Sequence, residues 1–206
     1  DDWITQISRL FPSPFFHIGF DETWSLEFEA KKRNKTPEEL YLLMLTQVTD
    51  IVEREGKRAM VWADMLQKYP SIIPKASRKM YAVPWHYSAL TDERYATLLS
   101  PFQKENIPMI VQGAIKNWNW VAPNFVTSFE NTDVLIKAGK KYGAVGFIQS
   151  GWTDDPLTLM RMGFADIAYG CIASWQNDPV DRQNFFNVYA KTQYPAPLAE
   201  TFAKGL

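Results

Sequence analysis

Five short apolar runs separated by capped helices predict an α/β protein built on a parallel sheet. Three observations carry this reading. The runs at 15–20, 59–62, 80–83, 109–111 and 145–148 lack the polar alternation of a half-solvated sheet, so both of their faces should be covered. Helix starts of cap-then-proline or Thr-cap type recur between them, at Thr36-Pro37, Thr91 and Asp155-Pro156. The residues just past the runs are rich in carboxylates and tryptophan, as expected where strand tips carry a site.

The chain opens in what reads as the tail of a helix, with Trp3, Ile4, Ile7 and Leu10 at helical spacing. The first strand then runs into Asp21-Glu22-Thr23-Trp24. Along an ideal strand His17, Gly19 and Asp21 share one face and Phe16, Ile18 and Phe20 the other. Asp21 and Glu22 can therefore serve one site only if the chain leaves strand geometry there. Thr36, Pro37 and Glu39 form a capping-box start, followed by an expected buried face of Leu40, Leu43, Met44, Val48, Ile51 and Val52, with Gly56 as the stop. Further helices are expected at 91–105 and 131–142, the latter ended by Gly143, and from Asp155-Pro156. Cys171 falls in an apolar helical stretch and is expected as a small core residue, and 181–206 reads as a helix and a tail.

Five strands do not close an eight-stranded barrel, which takes about 250 residues. The expectation is a single domain over 1–206 forming the C-terminal portion of a (β/α)8 TIM barrel, this chain supplying about strands 4–8 with their helices. The alternative is an intact open five-stranded sheet.

With 206 residues and 46% hydrophobic content, the chain can bury a substantial core. A formal charge of -1 argues against nucleic acid or an anionic membrane as the main partner, and no apolar run is long enough to span a bilayer. No signal-peptide pattern opens the sequence. The single cysteine leaves the compartment open, and the sequence does not speak to oligomeric state. Two histidines make a histidine-rich metal site improbable, and neither a Gly-rich phosphate loop nor a Gly-x-Ser-x-Gly elbow is present, so no cofactor is expected.

Aromatic content is the compositional signal, with eight Trp, nine Tyr and thirteen Phe, and four tryptophans (Trp24, Trp62, Trp85, Trp152) lie at or just beyond strand ends. Flat aromatic faces there suit the apolar faces of sugar rings. Paired carboxylates at a strand tip supply an acid beside a base, which glycoside cleavage requires. The bland alternatives are a turn or helix start for Asp21-Glu22 and core packing for the tryptophans.

These residues resemble a known family. His17-Ile18-Gly19-Phe20-Asp21-Glu22 looks like the His-x-Gly-Gly-Asp-Glu motif of glycoside hydrolase family 20, the β-N-acetylhexosaminidases. Trp62-Ala63-Asp64-Met65-Leu66 is similar to that family's fifth-strand tryptophan motif, closest to the Trp-Asp-Asp-Met-Leu form of the hexosaminidase D-like branch. Trp85-His86-Tyr87 resembles that branch's Trp-Asp-Tyr after the sixth strand, and Gly151-Trp152-Thr153-Asp154 falls where the family has Trp-x-Glu after the eighth.

The resemblance implies an exo-acting enzyme on glycans with a terminal N-acetylhexosamine, in which the substrate's acetamide is the nucleophile. It implies Glu22 as general acid and then base, and Asp21 as the partner of the acetamido group. His17 would orient the carboxylates, its alternative being a barrel histidine without a direct role. Trp62, Trp85 and Trp152 would wall the sugar pocket, Asp154 would bind hydroxyls and Asp64 would support the pocket; both aspartates could instead cap helices. Three departures stand out: Phe20 replaces the second glycine, Asp154 is one carbon shorter than Glu, and Lys116-Asn117-Trp118-Asn119-Trp120 lacks the family's tyrosine, a role for which Tyr87 is the candidate. The family's sugar-binding first-strand arginine would lie in the strands this chain lacks. A non-catalytic carbohydrate-binding protein and a glycosidase with Asp64 or Asp154 as its own nucleophile are the alternative functions.

Overall fold

A computed structural model describes residues 2–154 and 159–205, which divide into two compact units. The helix start expected at Asp155-Pro156 lies outside the described residues. The first unit comprises residues 2–85, 91–112 and 138–146; the second comprises 86–90, 113–137 and the described part of 147–205.

In chain order the elements are α1 (Asp2–Leu10), β1 (Phe15–His17), α2 (Leu26–Lys32), α3 (Pro37–Arg54), β2 (Arg58–Trp62), α4 (Asp64–Lys68), β3 (Tyr81–Val83), α5 (Asp92–Lys104), β4 (Ile110–Ile115), α6 (Phe125–Lys141), β5 (Gly146–Gly151), α7 (Phe164–Trp175), α8 (Arg182–Gln193) and α9 (Ala196–Gly205). Strands β1, β2 and β3 form a parallel sheet in sequence order, with Phe16 opposite Ala59 and Met60 opposite Tyr81. Parallel bridges Ala82–Met109 and Trp85–Gln112 continue that order toward β4, which pairs with β5 in a second sheet. The described strands thus form ladders of three and two, with isolated parallel bridges running from β3 and the residues after it to the start of β4.

The capping box of α3 is complete: Glu39 N–H donates to Thr36 Oγ1 (3.2 Å) and Thr36 N–H donates to Glu39 Oε2 (2.9 Å). Its buried face differs from expectation. Leu40, Ile51 and Val52 are buried as expected, but Leu43 and Met44 are exposed, and Tyr41, Leu45 and Thr49 are buried instead. The rotation is possible because the two polar members find partners. Thr49 Oγ1 donates back to the Leu45 carbonyl (2.9 Å), and Tyr41 donates to the Phe20 carbonyl (3.0 Å). Helix α2 was not expected, and α6 begins six residues early because Asn124 Oδ1 accepts from Thr127 N–H (3.1 Å), a cap that starts the helix at Phe125.

In the second unit, Phe129 stacks on Tyr169 (3.8 Å, 6°), with Phe185 edge-on to both. The buried face of α7 is Ala165, Asp166, Tyr169, Gly170 and Ala173, which leaves Cys171 exposed and not in the core as expected. A Cβ on Gly170 would come within 2.6 Å of Gln149 Oε1, so a larger residue there would force the Gln149 side chain to move. The expected tail is helical. Ala199 and Ala203 of α9 are buried with Ala190 of α8, and Tyr194 stacks on Phe202 at 3.8 Å.

Asp166 is buried, and loss of hydration pushes its carboxyl up to about 7, a Ser128 hydroxyl offsetting part of the effect. Between pH 4 and 7 the folded state therefore holds a proton that the unfolded state has released, and stability falls as pH rises through that window. Chemical denaturation should show a loss of about 2–4 kcal/mol from pH 4 to 7 attributable to this group, removed by Asp166→Asn. An identical slope in Asp166→Asn would contradict the assignment.

Candidate active site

Strand β1 stops at His17, although Ile18 N–H still donates to the Met60 carbonyl (2.9 Å). The backbone then turns left-handed at Gly19 (φ 75°) and Phe20 (φ 72°), and again at Glu22 (φ 43°). The chain leaves strand geometry before Asp21, as a shared site for the two acids requires. Trp62 N–H donates to the Gly19 carbonyl (3.0 Å), tying the turn to the end of β2.

The carboxylate of Asp21 lies over Gly19, where a Cβ would be 3.9 Å from Oδ1, and its charge is felt by His17, Tyr41 and Asp64. Glu22, one residue on, is exposed, and its N–H donates to Asp64 Oδ2 (2.9 Å). Asp64 is the first residue of α4, whose cap position is Ala63, and its carboxylate serves both the turn, through the Glu22 N–H, and its own backbone N–H at the helix start.

His17 Nδ1 accepts from Gly19 N–H (3.1 Å), which puts the ring proton on Nε2, a buried atom without a hydrogen-bond partner. The ring packs on Trp62 with centroids 4.1 Å apart. Burial lowers the His17 pKa, and nearby Asp21 pulls the other way. Burial raises the Asp64 carboxyl, and Asp21 adds to the rise; the Glu22 N–H and the Trp85 indole oppose it. Burial also pushes up the Tyr41 phenol, reinforced by Asp64 and Asp21. Trp62 and Trp85 are half-buried rather than core, whereas Trp24 stands 86% exposed.

In the second unit Tyr87 leans on Trp118 (5.4 Å, 53°), and Lys116 Nζ sits 4.5 Å from the Trp118 ring centre. With its amide nitrogen turned toward them, Asn117 donates to the carbonyls of Ile115 (3.1 Å) and Trp152 (3.0 Å), joining the segments after β4 and β5. Trp152 and Asp154 are exposed, and the residues that Asp154 would cap lie outside the described chain.

Tyr41 and Trp118 were not among the expected site residues. Tyr41 carries a weak signal, a tyrosine near the start of a capped helix whose hydroxyl needs a partner once buried; that the partner is Phe20 cannot be read from spacing. Among the described residues no group of three or more His, Cys, Asp or Glu side chains is placed to hold a metal ion, and no helix is long and apolar enough to cross a membrane.

Residues 1–113, which include this turn, Trp62, Asp64, Trp85 and Tyr87, match the family model for glycosyl hydrolase family 20, catalytic domain. The chain belongs to glycosyl hydrolase family 20. Trp152 and Asp154 fall beyond the matched residues. No curated protein is significantly similar in sequence. Among solved structures, this family 20 chain is similar to a β-N-acetylhexosaminidase from Bacteroides fragilis, at 18% identity and TM-score 0.66, covering 91% of this chain and 41% of that one. It is also similar to a family 20 exo β-N-acetylglucosaminidase from Vibrio harveyi in complex with N-acetylglucosamine (18% identity, TM-score 0.58, 99% of this chain and 33% of that one). A Flavobacterium johnsoniae chitobiase matches at 18% identity and TM-score 0.52, over 84% of this chain and 28% of that one. The chain therefore spans less than half the length of these structural relatives, and at this identity the likeness concerns the fold.

The His17 geometry predicts a neutral ring well into mildly acidic pH. Protonating Nδ1 would break the Gly19 N–H bond and charge a buried group. An NMR titration of the His17 ring should give a midpoint below 6.5, and stability should fall as pH drops below that value, because the unfolded state binds the proton first. A midpoint above 6.5 would mean that Asp21, not burial, dominates.

Proposed function

We propose that the protein is an exo-acting, retaining β-N-acetylhexosaminidase that releases terminal β-linked GlcNAc or GalNAc with the substrate's acetamide as nucleophile. In this reading the chain is the C-terminal portion of a single (β/α)8 catalytic barrel domain, supplying about strands 4–8. The observation that carries it is the turn at residues 19–22, which leaves Asp21 and Glu22 side by side and both exposed, with Asp21 near enough for its charge to act on His17, Tyr41 and Asp64. Family membership and the sequence-ordered parallel strands support it.

Glu22, as the acid, protonates the departing glycosidic oxygen while the acetamide carbonyl oxygen attacks C1 and the glycosidic C–O bond breaks. The aglycone leaves as the alcohol, and the sugar closes to an oxazolinium ring. Asp21 accepts the acetamide N–H and stabilises the positive charge on that nitrogen. The Glu22 carboxylate then takes a proton from water, whose oxygen attacks C1 and reopens the ring; two inversions at C1 give net retention. Ring closure within one molecule brings a large effective-concentration advantage. Trp62 and Trp85 offer aromatic faces to the sugar, and Asp64 supports the pocket. Tyr87, Trp152 and Asp154 are proposed as further sugar contacts from their places after strands. No cofactor takes part.

Hydrolysis of aryl β-N-acetylglucosaminide and β-N-acetylgalactosaminide, beside the plain aryl β-glucoside, tests the proposal. Only the acetamido sugars should be cleaved. Glu22→Gln should lower kcat by about 10²–10⁴-fold with the fold retained, and Asp21→Asn should depress turnover of the acetamido substrates. Cleavage of the plain glucoside would require a protein nucleophile, with Asp64 or Asp154 as candidate. Sugar binding without hydrolysis would make the protein a carbohydrate-binding one.

A further inference from the structure

The geometry points to Tyr41 and Asp64 as positioning residues that pin the two peptide groups flanking Asp21. This rests on the reading of Asp21 and Glu22 as the reacting pair. The peptide before Asp21 is held through its carbonyl, that of Phe20, which accepts from the Tyr41 hydroxyl at 3.0 Å. The peptide after it is held through its N–H, that of Glu22, which donates to Asp64 Oδ2 at 2.9 Å.

Such anchors are needed because the turn is costly. Phe20 and Glu22 both adopt positive φ, a backbone region that residues with a side chain enter only at a cost. A glycine at position 20 would lower that cost. With phenylalanine there, the ring instead packs edge-on against Tyr41, with centroids 5.7 Å apart at 80°. Tyr41, 1% exposed on the face of α3 that turned inward, thus holds Phe20 by ring and by hydroxyl together. Asp64, carried by the first turn of α4 directly after β2, holds the other side. Neither residue needs to touch the sugar. Each fixes the direction in which Asp21 and Glu22 point, and misplacing a reacting group by about 1 Å costs on the order of 10²-fold in rate.

The test compares wild type, Tyr41→Phe, Asp64→Ala and Asp64→Asn in two readouts: hydrolysis of an aryl β-N-acetylglucosaminide, and amide hydrogen exchange at Glu22. Tyr41→Phe keeps the ring and its packing, so loss of fold does not confuse the result. It and Asp64→Ala should each lower kcat about 10–100-fold with KM within about twofold. Asp64→Asn should recover most of the rate, since its amide oxygen still accepts the Glu22 N–H. Exchange at Glu22 should quicken about tenfold in Asp64→Ala and not in Asp64→Asn. Wild-type kcat in both Tyr41→Phe and Asp64→Ala would overturn the inference, as would an effect confined to KM, which would make Asp64 a sugar contact. Should the wild-type protein prove inactive, the proposed function fails and the exchange readout alone decides: faster exchange in Asp64→Ala supports the anchoring, and unchanged exchange overturns it.

Discussion

The left-handed backbone at Gly19 and Phe20 determines where Asp21 and Glu22 point. Had the strand continued, successive side chains would have alternated and the two acids would have faced opposite sides of the sheet. Ending the strand at His17 and reversing the sign of φ brings the Asp21 carboxylate over Gly19, with both acids exposed. The surrounding contacts are consistent with that one constraint. His17 accepts the Gly19 N–H, Trp62 N–H takes the Gly19 carbonyl, Tyr41 the Phe20 carbonyl, and Asp64 the Glu22 N–H.

Electrostatics follow from the same turn. The Asp21 charge acts on His17, Tyr41 and Asp64, and burial is the leading cause of each resolved shift there. His17 is kept neutral and Asp64 is biased toward its protonated form. A carboxylate placed where a nitrogen becomes positive during oxazolinium formation stabilises that charge, which is the part the proposed mechanism gives to Asp21. The donors that stabilise Asp64 as an anion, Glu22 N–H and the Trp85 indole, are the groups that orient the neighbouring acid and the aromatic wall.

Much of the fold was legible because its signals are local. The capping box Thr36-Glu39, the stop at Gly56 and the short apolar strands depend on neighbours within a few residues, and they stand near where the sequence put them, with β1 shorter than its apolar run and β4 and β5 running past the ends of theirs. The inward face of α3 is not visible to periodicity because Tyr41 and Thr49 count as polar there, yet both are buried once a backbone carbonyl accepts their hydroxyl. The exposure of Cys171 is hidden for a related reason: α7 is apolar on most of its surface, so periodicity does not say which side turns in. In the candidate site, Asp21, Glu22, Trp62 and Asp64 were legible from their places at strand ends. That Asp64 would spend its carboxylate on a backbone N–H 42 residues away was not, because that bond exists only after β1 and β2 pair.

The central claim is that this turn presents an acid and an acetamide partner, leaving the nucleophile to the substrate. A series of aryl 2-deoxy-2-acylamido-β-glucosides bearing zero to three fluorines on the N-acyl methyl tests it most directly. Fluorine weakens the carbonyl oxygen as a nucleophile while barely changing the size of the sugar. The account predicts that kcat/KM falls steadily with each fluorine, and a rate indifferent to fluorination would contradict it.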